Sequence, residues 1–263
     1  MRVEGKIVVI TGSGYGIGKG LAERFVAEGA KAVVISDVNE ELMTSVAETL
    51  GMPAIACNVA DPAALTNLID QTEREVGPID LFCSNAAYGF DGPVQRKTGN
   101  QAGLDTPEEA WDRSWQINVM AHIRAAQQLV PLMLERGGGY FLNTVSAAGL
   151  ITATSGAAYT VTKHADIGWA EWLALNYSDK GIGVSCLCPT AIATKPGQFD
   201  GNETIGLVQT PAEVAQYVVD GLDKEQFLIL PNPAVGGSFR KKATDYDAWI
   251  ERTTARIGAM KSR

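Results

Sequence analysis

The stretch Thr11-Gly12-Ser13-Gly14-Tyr15-Gly16-Ile17-Gly18 decides the fold through what stands on either side of it. Before it runs Ile7–Thr11, an uninterrupted β-branched segment that reads as a strand; after it, Gly18–Glu28 has helical spacing of apolar residues. Glycines between a strand and a helix let the backbone approach a pyrophosphate closely. The first N–H groups of the helix and its dipole then favour the anion. Outside that context the same glycines would indicate only a turn.

Outward from this turn, short β-branched runs alternate with amphipathic stretches. Ala32–Ser36 is a second strand and Glu40–Leu50 a helix; Ala54–Asn58 is a third strand, and a helix runs from Pro62 to about Val76. Leu81–Ser84 is a fourth strand, followed by the polar, Gly-rich stretch Gly89–Thr106. Thr106-Pro107-Glu108-Glu109 carries helix-start signals: a capping hydroxyl, a proline at the first position and a glutamate at the third. That helix continues, with a bend, to about Glu135. Tyr140–Val145, Gly183–Cys188 and Phe227–Leu230 complete the strands. Ala157–Ser178, a stretch opened by Thr210-Pro211-Ala212-Glu213, and Phe239–Ile257 complete the helices. The pattern predicts one Rossmann-type, doubly wound α/β domain over 1–263, with about seven parallel strands and helices on both faces. Ligands then belong outside the carboxyl ends of the strands. Thr190–Gln209 is expected to form a substrate lid and 231–263 a C-terminal extension.

Composition narrows the function classes. The net charge of −8 and the lack of a dense Lys/Arg stripe argue against a nucleic-acid binder. Arg240-Lys241-Lys242, the nearest thing to such a stripe, reads as a solvated helix face. No run approaches a membrane span or a signal peptide, so a cytoplasmic protein is the default expectation. Cys57, Cys83, Cys186 and Cys188 sit in or beside apolar runs and read as small core residues in a reducing compartment. Two histidines without ligand spacing give no metal site.

Asp37 ends the second strand, where this architecture places the adenosine ribose. A carboxylate there accepts from both ribose hydroxyls and repels a 2′-phosphate. No Arg or Lys adjoins it, and Tyr15 occupies the loop position where a basic residue could meet that phosphate. NAD is therefore expected over NADP. The alternative is that Asp37 caps the helix Glu40–Leu50.

At this point the chain resembles the short-chain dehydrogenase/reductase family. Thr11–Gly18 has that family's Thr-Gly-x-x-x-Gly-x-Gly pattern. Asn85-Ala86-Ala87, Asn118, Ser146 and Tyr159-x-x-x-Lys163 follow in the family's order. The family more often has Asn-Ala-Gly, Asp-Val and Pro-Gly where this chain has Asn85-Ala86-Ala87, Asn58-Val59 and Pro189-Thr190. Pro231-Asn232-Pro233 likewise replaces a usual Asp-Gly-Gly.

The resemblance implies an NAD-dependent oxidoreductase that interconverts a secondary alcohol and a ketone. A phenol ordinarily ionises at about 10, too high for a base near neutrality, and a nearby ammonium favours the phenolate. Tyr159 and Lys163, four apart on a helix, share a face. By resemblance, Tyr159 is the acid/base, Ser146 holds the substrate oxygen, Lys163 also binds the nicotinamide ribose, and Asn118 helps hold a relay water. The cofactor contacts implied are Gly12, Tyr15, Gly16, Ile17, Gly18, Asp37, Asn58, Val59, Asn85, Ala86, Tyr159, Lys163, Pro189, Ile192 and Thr194. Singly, these residues could be a surface Ser, a core Tyr and a solvated Lys; jointly and in order they indicate catalysis.

Ala147, Leu150, Ile151 and Thr154 are expected to wall a mainly apolar pocket, and Arg96 is the one candidate to clamp an anionic substrate. His164 reads as structural or interfacial. The resemblance also implies a homo-oligomer, dimer or tetramer, through the helices that carry Trp111, Trp115, Trp169 and Trp172. The rival class is an NAD-binding sensor that catalyses nothing. It would have no need of Ser146, Tyr159 and Lys163 together. A P-loop kinase is excluded because no Ser or Thr follows Lys19.

Overall fold

The computed structural model describes residues 1–89, 106–153, 156–193 and 208–261. Six strands form one sheet: β1 (Ile7–Thr11), β2 (Ala32–Ser36), β3 (Leu81–Ser84), β4 (Gly139–Thr144), β5 (Ile182–Leu187) and β6 (Leu228–Ile229). All pairings are parallel and the order is β2-β1-β3-β4-β5-β6. β1 therefore sits where the winding reverses, the position outside whose carboxyl end sheets of this kind bind ligands.

Successive residues of each strand face opposite layers. Val9, Val34, Phe82, Phe141 and Val184 pack on one side, against α3 (Pro62–Glu75), α5 (Ala121–Glu135) and α6 (Ala157–Tyr177). Val8, Ile10, Val33, Ile35 and Leu142 face the other side, against α1 (Gly16–Ala27), α2 (Glu40–Leu50) and α7 (Pro211–Asp223). A sheet covered on both faces needs apolar residues at every position, which is why β1 reads IVVIT and is buried throughout. The fold is thus a single Rossmann-like α/β domain.

Several expectations need correction. Among the described residues the strands number six, not seven. The run at Ala54–Asn58 makes one bridge, Ala54 to Ile35: the Ile55 and Cys57 N–H groups donate to the Ile35 and Asp37 carbonyls, but β2 ends at Ser36 and returns only the Ile35 N–H, to the Pro53 carbonyl. Helix α4 (Glu108–Trp115) starts after Pro107, whose φ of −59° and ψ of 149° put it at the cap position rather than the first helical position. The expected bend beyond α4 is a π turn, Gln116–Met120, between α4 and α5. By contrast, Thr210 and Glu213 form a reciprocal capping box on α7, as their spacing predicts.

The C-terminal region holds two helices rather than one. Asn232 caps α8 (Pro233–Thr244), and Asp245 interrupts the chain, accepting from the Ala248 N–H, before α9 (Tyr246–Lys261). Lys242 is not on a solvated face: it is 4% exposed. Its Nζ donates to the Leu150 carbonyl at 2.9 Å and lies 3.3 Å from His164 Nε2, with the Tyr246 and Trp249 rings at 5.4 and 5.1 Å. A carbonyl, an imidazole and two π faces together replace the water a buried ammonium gives up. His164 Nδ1 lies 2.9 Å from the Thr160 carbonyl, which fits its structural reading. All four cysteines are buried and unpaired, as expected of core residues. No helix among the described residues is long and apolar enough to cross a membrane.

Candidate active site

The glycine loop lies at the carboxyl end of β1 and is tied down from three sides. Asn85, just past β3, donates from Nδ2 to the carbonyls of Thr11 and Gly12 at 3.0 and 3.1 Å. Thr11 Oγ1 accepts from the N–H groups of Asn85 and Ala86 at 3.0 and 3.1 Å. Ser13, fully buried, donates to the Ile10 carbonyl and accepts from the Ser36 N–H. Gly12 has φ +65°, and a Cβ there would stand 2.8 Å from Ala86 Cα. A Cβ on Gly18 would strike the Gly12 carbonyl and come within 2.6 Å of Asn85 Nδ2. These glycines let loop, helix and β3 pack at backbone distance, and α1 begins after Tyr15 with no side-chain cap on its N-terminus.

Asp37 sits beside this loop. Its Oδ2 accepts from the Gly14 N–H at 2.9 Å and its Oδ1 from the Asn39 N–H at 3.0 Å. Asn39, not Asp37, caps α2, accepting from the Leu42 N–H at 3.0 Å. The capping alternative for Asp37 is therefore overturned, and the carboxylate is oriented toward the loop. Asn58 is exposed and its Oδ1 accepts from the Ala60 N–H at 3.2 Å, while Val59 is buried.

The second half of the site gathers at the carboxyl ends of β4 and β5. Ser146 follows β4, and its Oγ accepts from the Ala148 N–H at 3.1 Å, leaving the hydroxyl hydrogen available to donate. Pro189 follows β5 and accepts from the Ala147 N–H at 2.9 Å, joining the two loops. Tyr159 is half-buried in the first turn of α6, with the Gly89 backbone beside its ring. One turn on, Lys163 is completely buried, with Nζ 5.8 Å from the Tyr159 ring centroid and donating to the Thr144 carbonyl at 2.8 Å.

Asn118 lies in the π turn, where one extra residue per turn re-aims the side chain inward. Its Oδ1 accepts from the Tyr88 N–H at 2.8 Å. Its Nδ2 donates to the Tyr88 carbonyl at 2.9 Å and to Thr162 Oγ1 at 3.0 Å. Thr162 in turn donates to the Tyr159 carbonyl. Asn118 thus braces the Tyr159 turn against the loop after β3.

Of the expected pocket wall, Ala147 and Leu150 turn into the core and Ile151 is half-buried. Ile192 pairs with Gln209 in a single bridge, closing the segment between them. Thr154, Thr194, Arg96 and most of the Gly89–Thr106 and Thr190–Gln209 stretches lie outside the described residues. Sequence reasoning missed Thr11, Ser13, Thr144, Thr162, His122 and Asp166, which hold the named groups in place. Asp166 had a usable signal, a carboxylate three residues after Lys163 on the same helix. A cleft of about 820 Å³ opens at the other end of the sheet, beside Asp80, Gly139 and Ile182, and contains none of these groups.

A glycine loop at the switch point of a parallel sheet, with a Ser, a Tyr and a buried Lys at the carboxyl ends of its strands, defines a Rossmann-like α/β protein. More narrowly, the chain belongs to the short-chain dehydrogenase/reductase family of oxidoreductases, which use a nicotinamide cofactor: the short chain dehydrogenase profile matches residues 6–202. It is 29% identical over 245 residues to a 1-deoxy-11-beta-hydroxypentalenate dehydrogenase of Streptomyces exfoliatus, covering 88% of this chain and 85% of that protein. It is 32% identical over 204 residues to a secoisolariciresinol dehydrogenase of Forsythia intermedia, covering 76% and 71%. The fold matches a short-chain dehydrogenase/reductase of Burkholderia phymatum in complex with NAD, with a TM-score of 0.80 at 22% identity over 94% of this chain and 96% of that one.

Proposed function

We propose that the protein is an NAD-dependent oxidoreductase interconverting a secondary alcohol and a ketone on a mainly apolar substrate. The observation that carries this reading is the pair formed by the half-buried Tyr159 and the wholly buried Lys163, whose Nζ stands 5.8 Å from the phenol ring. The hydroxyl of Ser146, with its lone pair engaged by Ala148, donates to the substrate oxygen and orients it. Tyr159 takes the hydroxyl proton in oxidation and returns it in reduction. Lys163 supplies the positive charge that favours the phenolate, and Asn118 braces the turn that carries it.

The residues present fit a dinucleotide. The Gly12 and Gly18 cradle has no room for a Cβ, and Asp37 is held beside the loop by the Gly14 N–H. Gly12, Tyr15, Gly16, Ile17 and Gly18 would hold the pyrophosphate side, Asp37, Asn58 and Val59 the adenosine, and Asn85, Ala86, Tyr159, Lys163, Pro189, Ile192 and Thr194 the nicotinamide side. When bound, the nicotinamide accepts or returns the hydride. Asp37 favours NAD, the cofactor bound in the Burkholderia phymatum protein. An intact Ser146, Tyr159 and Lys163 set speaks against a protein that only senses the nucleotide.

The test is to incubate the protein with NAD and a panel of steroids, aryl carbinols, acyclic diols and hydroxy acids, following the near-ultraviolet absorbance of reduced nicotinamide. Turnover of an apolar secondary alcohol is expected; silence across the panel in protein that binds NAD would contradict the reading.

We further propose that the chain works as a homo-oligomer, paired through α4 and α6. Trp115 and Trp172 are 41% and 50% exposed, Leu175 is 85% exposed, and Trp172 stacks on Trp169 at 5.5 Å. Large exposed apolar groups on two helices packed against each other support an interaction surface there. Sedimentation velocity is expected to give a dimer or tetramer mass; a monomer at assay concentrations would contradict this.

A further inference from the structure

Asp166 lies on α6 three residues after Lys163, and neither side chain has any solvent exposure. Its Oδ2 stands 3.7 Å from Lys163 Nζ and makes no hydrogen bond of its own among the described residues. Its Oδ1 is held by His122 Nδ1 at 2.8 Å and more loosely by Asn143 Nδ2 at 3.4 Å. His122, on α5, is itself 3% exposed. The four side chains form one buried cluster directly behind the Tyr159–Lys163 pair.

A buried ammonium needs hydrogen bonds and is further stabilised by a paired carboxylate. The Thr144 carbonyl gives Lys163 a single dipole, at 2.8 Å. Among the described residues, the one carboxylate within ion-pair distance of it is Asp166. From these contacts we propose that Asp166 is a positioning residue: its carboxylate, fixed by His122 and Asn143, keeps Lys163 protonated and placed beside Tyr159. The inference rests on the reading of Tyr159 as the acid/base.

The titratable groups that face Asp166 can be named. From its own helix comes Lys163, and from α5 comes His122. From the sheet come the thiols of Cys186, in β5, and Cys188, just after it. Burial pushes both thiols up, Cys188 to about 12, so neither carries charge near neutrality. Neutralising Asp166 therefore takes the counter-charge from Lys163, along with the acceptor that His122 holds. Burial then favours the neutral amine, and the Tyr159 phenolate loses the positive charge beside it.

The experiment needs neither substrate nor bound nucleotide. The phenolate of Tyr159 is titrated by near-ultraviolet absorbance, as the difference between the full-length protein and its Tyr159→Phe variant. The same difference is taken in an Asp166→Asn background. In Asp166→Asn the titration is expected to move to higher pH by about one unit or more, the scale of one lost unit charge near the site. Asp166→Leu removes the charge with an apolar side chain of similar size. It is expected to shift the titration the same way should the asparagine variant fold poorly.

A titration that stays in place, or moves to lower pH, in folded variants would overturn the inference. The alcohol panel separates this from the function itself. Turnover by the unsubstituted protein without the shift defeats the role of Asp166 alone. The shift in a protein that turns over no alcohol supports the Asp166–Lys163 coupling and defeats the reaction proposed for it.

Discussion

Replacing Tyr159 by Phe is expected to lower kcat about 1,000-fold, in the range a positioned acid or base contributes. NAD affinity should change little. Phe keeps the ring against the Gly89 backbone and over Lys163, so the packing at the head of α6 survives. What disappears is the phenol oxygen, the group assigned to exchange a proton with the substrate. Ser146 is not expected to replace it: its oxygen accepts from Ala148 and its hydrogen is the one proposed to meet the substrate oxygen. The measurement is kcat with the best alcohol of the panel, together with the dissociation constant for NAD from fluorescence titration. A kcat within about tenfold of the unsubstituted enzyme, well short of an acid/base contribution, would remove Tyr159 from the chemistry.

Replacing Asp37 by Ser is the second large expected effect. A carboxylate about 4 Å from a 2′-phosphate costs on the order of 4 kcal/mol at an effective dielectric near 20. At about 1.4 kcal/mol per decade, the preference of kcat/KM for NAD over NADP should fall by about a hundredfold or more in Asp37→Ser. The structure adds a second consequence. Asp37 also accepts from the Gly14 and Asn39 N–H groups, so the glycine loop loses a charge-assisted anchor. NAD binding should therefore weaken while NADP is admitted, rather than the two simply exchanging. An unchanged NAD:NADP ratio with weakened binding of both would reduce Asp37 to a tether for Gly14.

Most of the framework is readable in the chain because it is written in short-range rules. The strand–glycine–helix junction at Thr11–Gly18, the uninterrupted apolar strands and the Thr210–Glu213 cap each follow from neighbours a few residues apart. The set Asn118, Ser146, Tyr159 and Lys163 is legible only through its likeness to the family's pattern; local spacing alone shows that Tyr159 and Lys163 share a helix face. The structure brings these residues to one end of the sheet. What escaped reading depends on distant partners. Ala54–Asn58 has strand composition, and its Ile55 and Cys57 N–H groups do donate, but a ladder needs donors on both sides and β2, ending at Ser36, returns only that of Ile35. Lys242 has the sequence context of a surface lysine, and only the fold delivers Leu150, His164 and Trp249 around it. Asp166 and His122 are 44 residues apart, so nothing local shows that they meet. The Asn58 amide oxygen accepts from the Ala60 N–H, a two-residue turn that its own sequence permits, and keeps a second lone pair.

The departures from the family pattern bear on the cofactor side more than on the proton-transfer pair. Ala87, where glycine is usual, is exposed, and its methyl does not disturb the Asn85 and Thr11 contacts. The match to the family profile ends at residue 202, before α7, α8 and α9. Beyond that point Lys242 joins α8 to the loop after Ser146, so the C-terminal helices help hold that segment.

The central claim is that a hydride moves between substrate carbon and nicotinamide while Tyr159 handles the proton. The most direct test uses a panel alcohol deuterated at its carbinol carbon, with mass spectrometry of the reduced cofactor recovered after turnover. Deuterium retained in the reduced nicotinamide, with none washed out to water, is the predicted result. Deuterium lost to solvent, or substrate consumed without reduction of NAD, would contradict it.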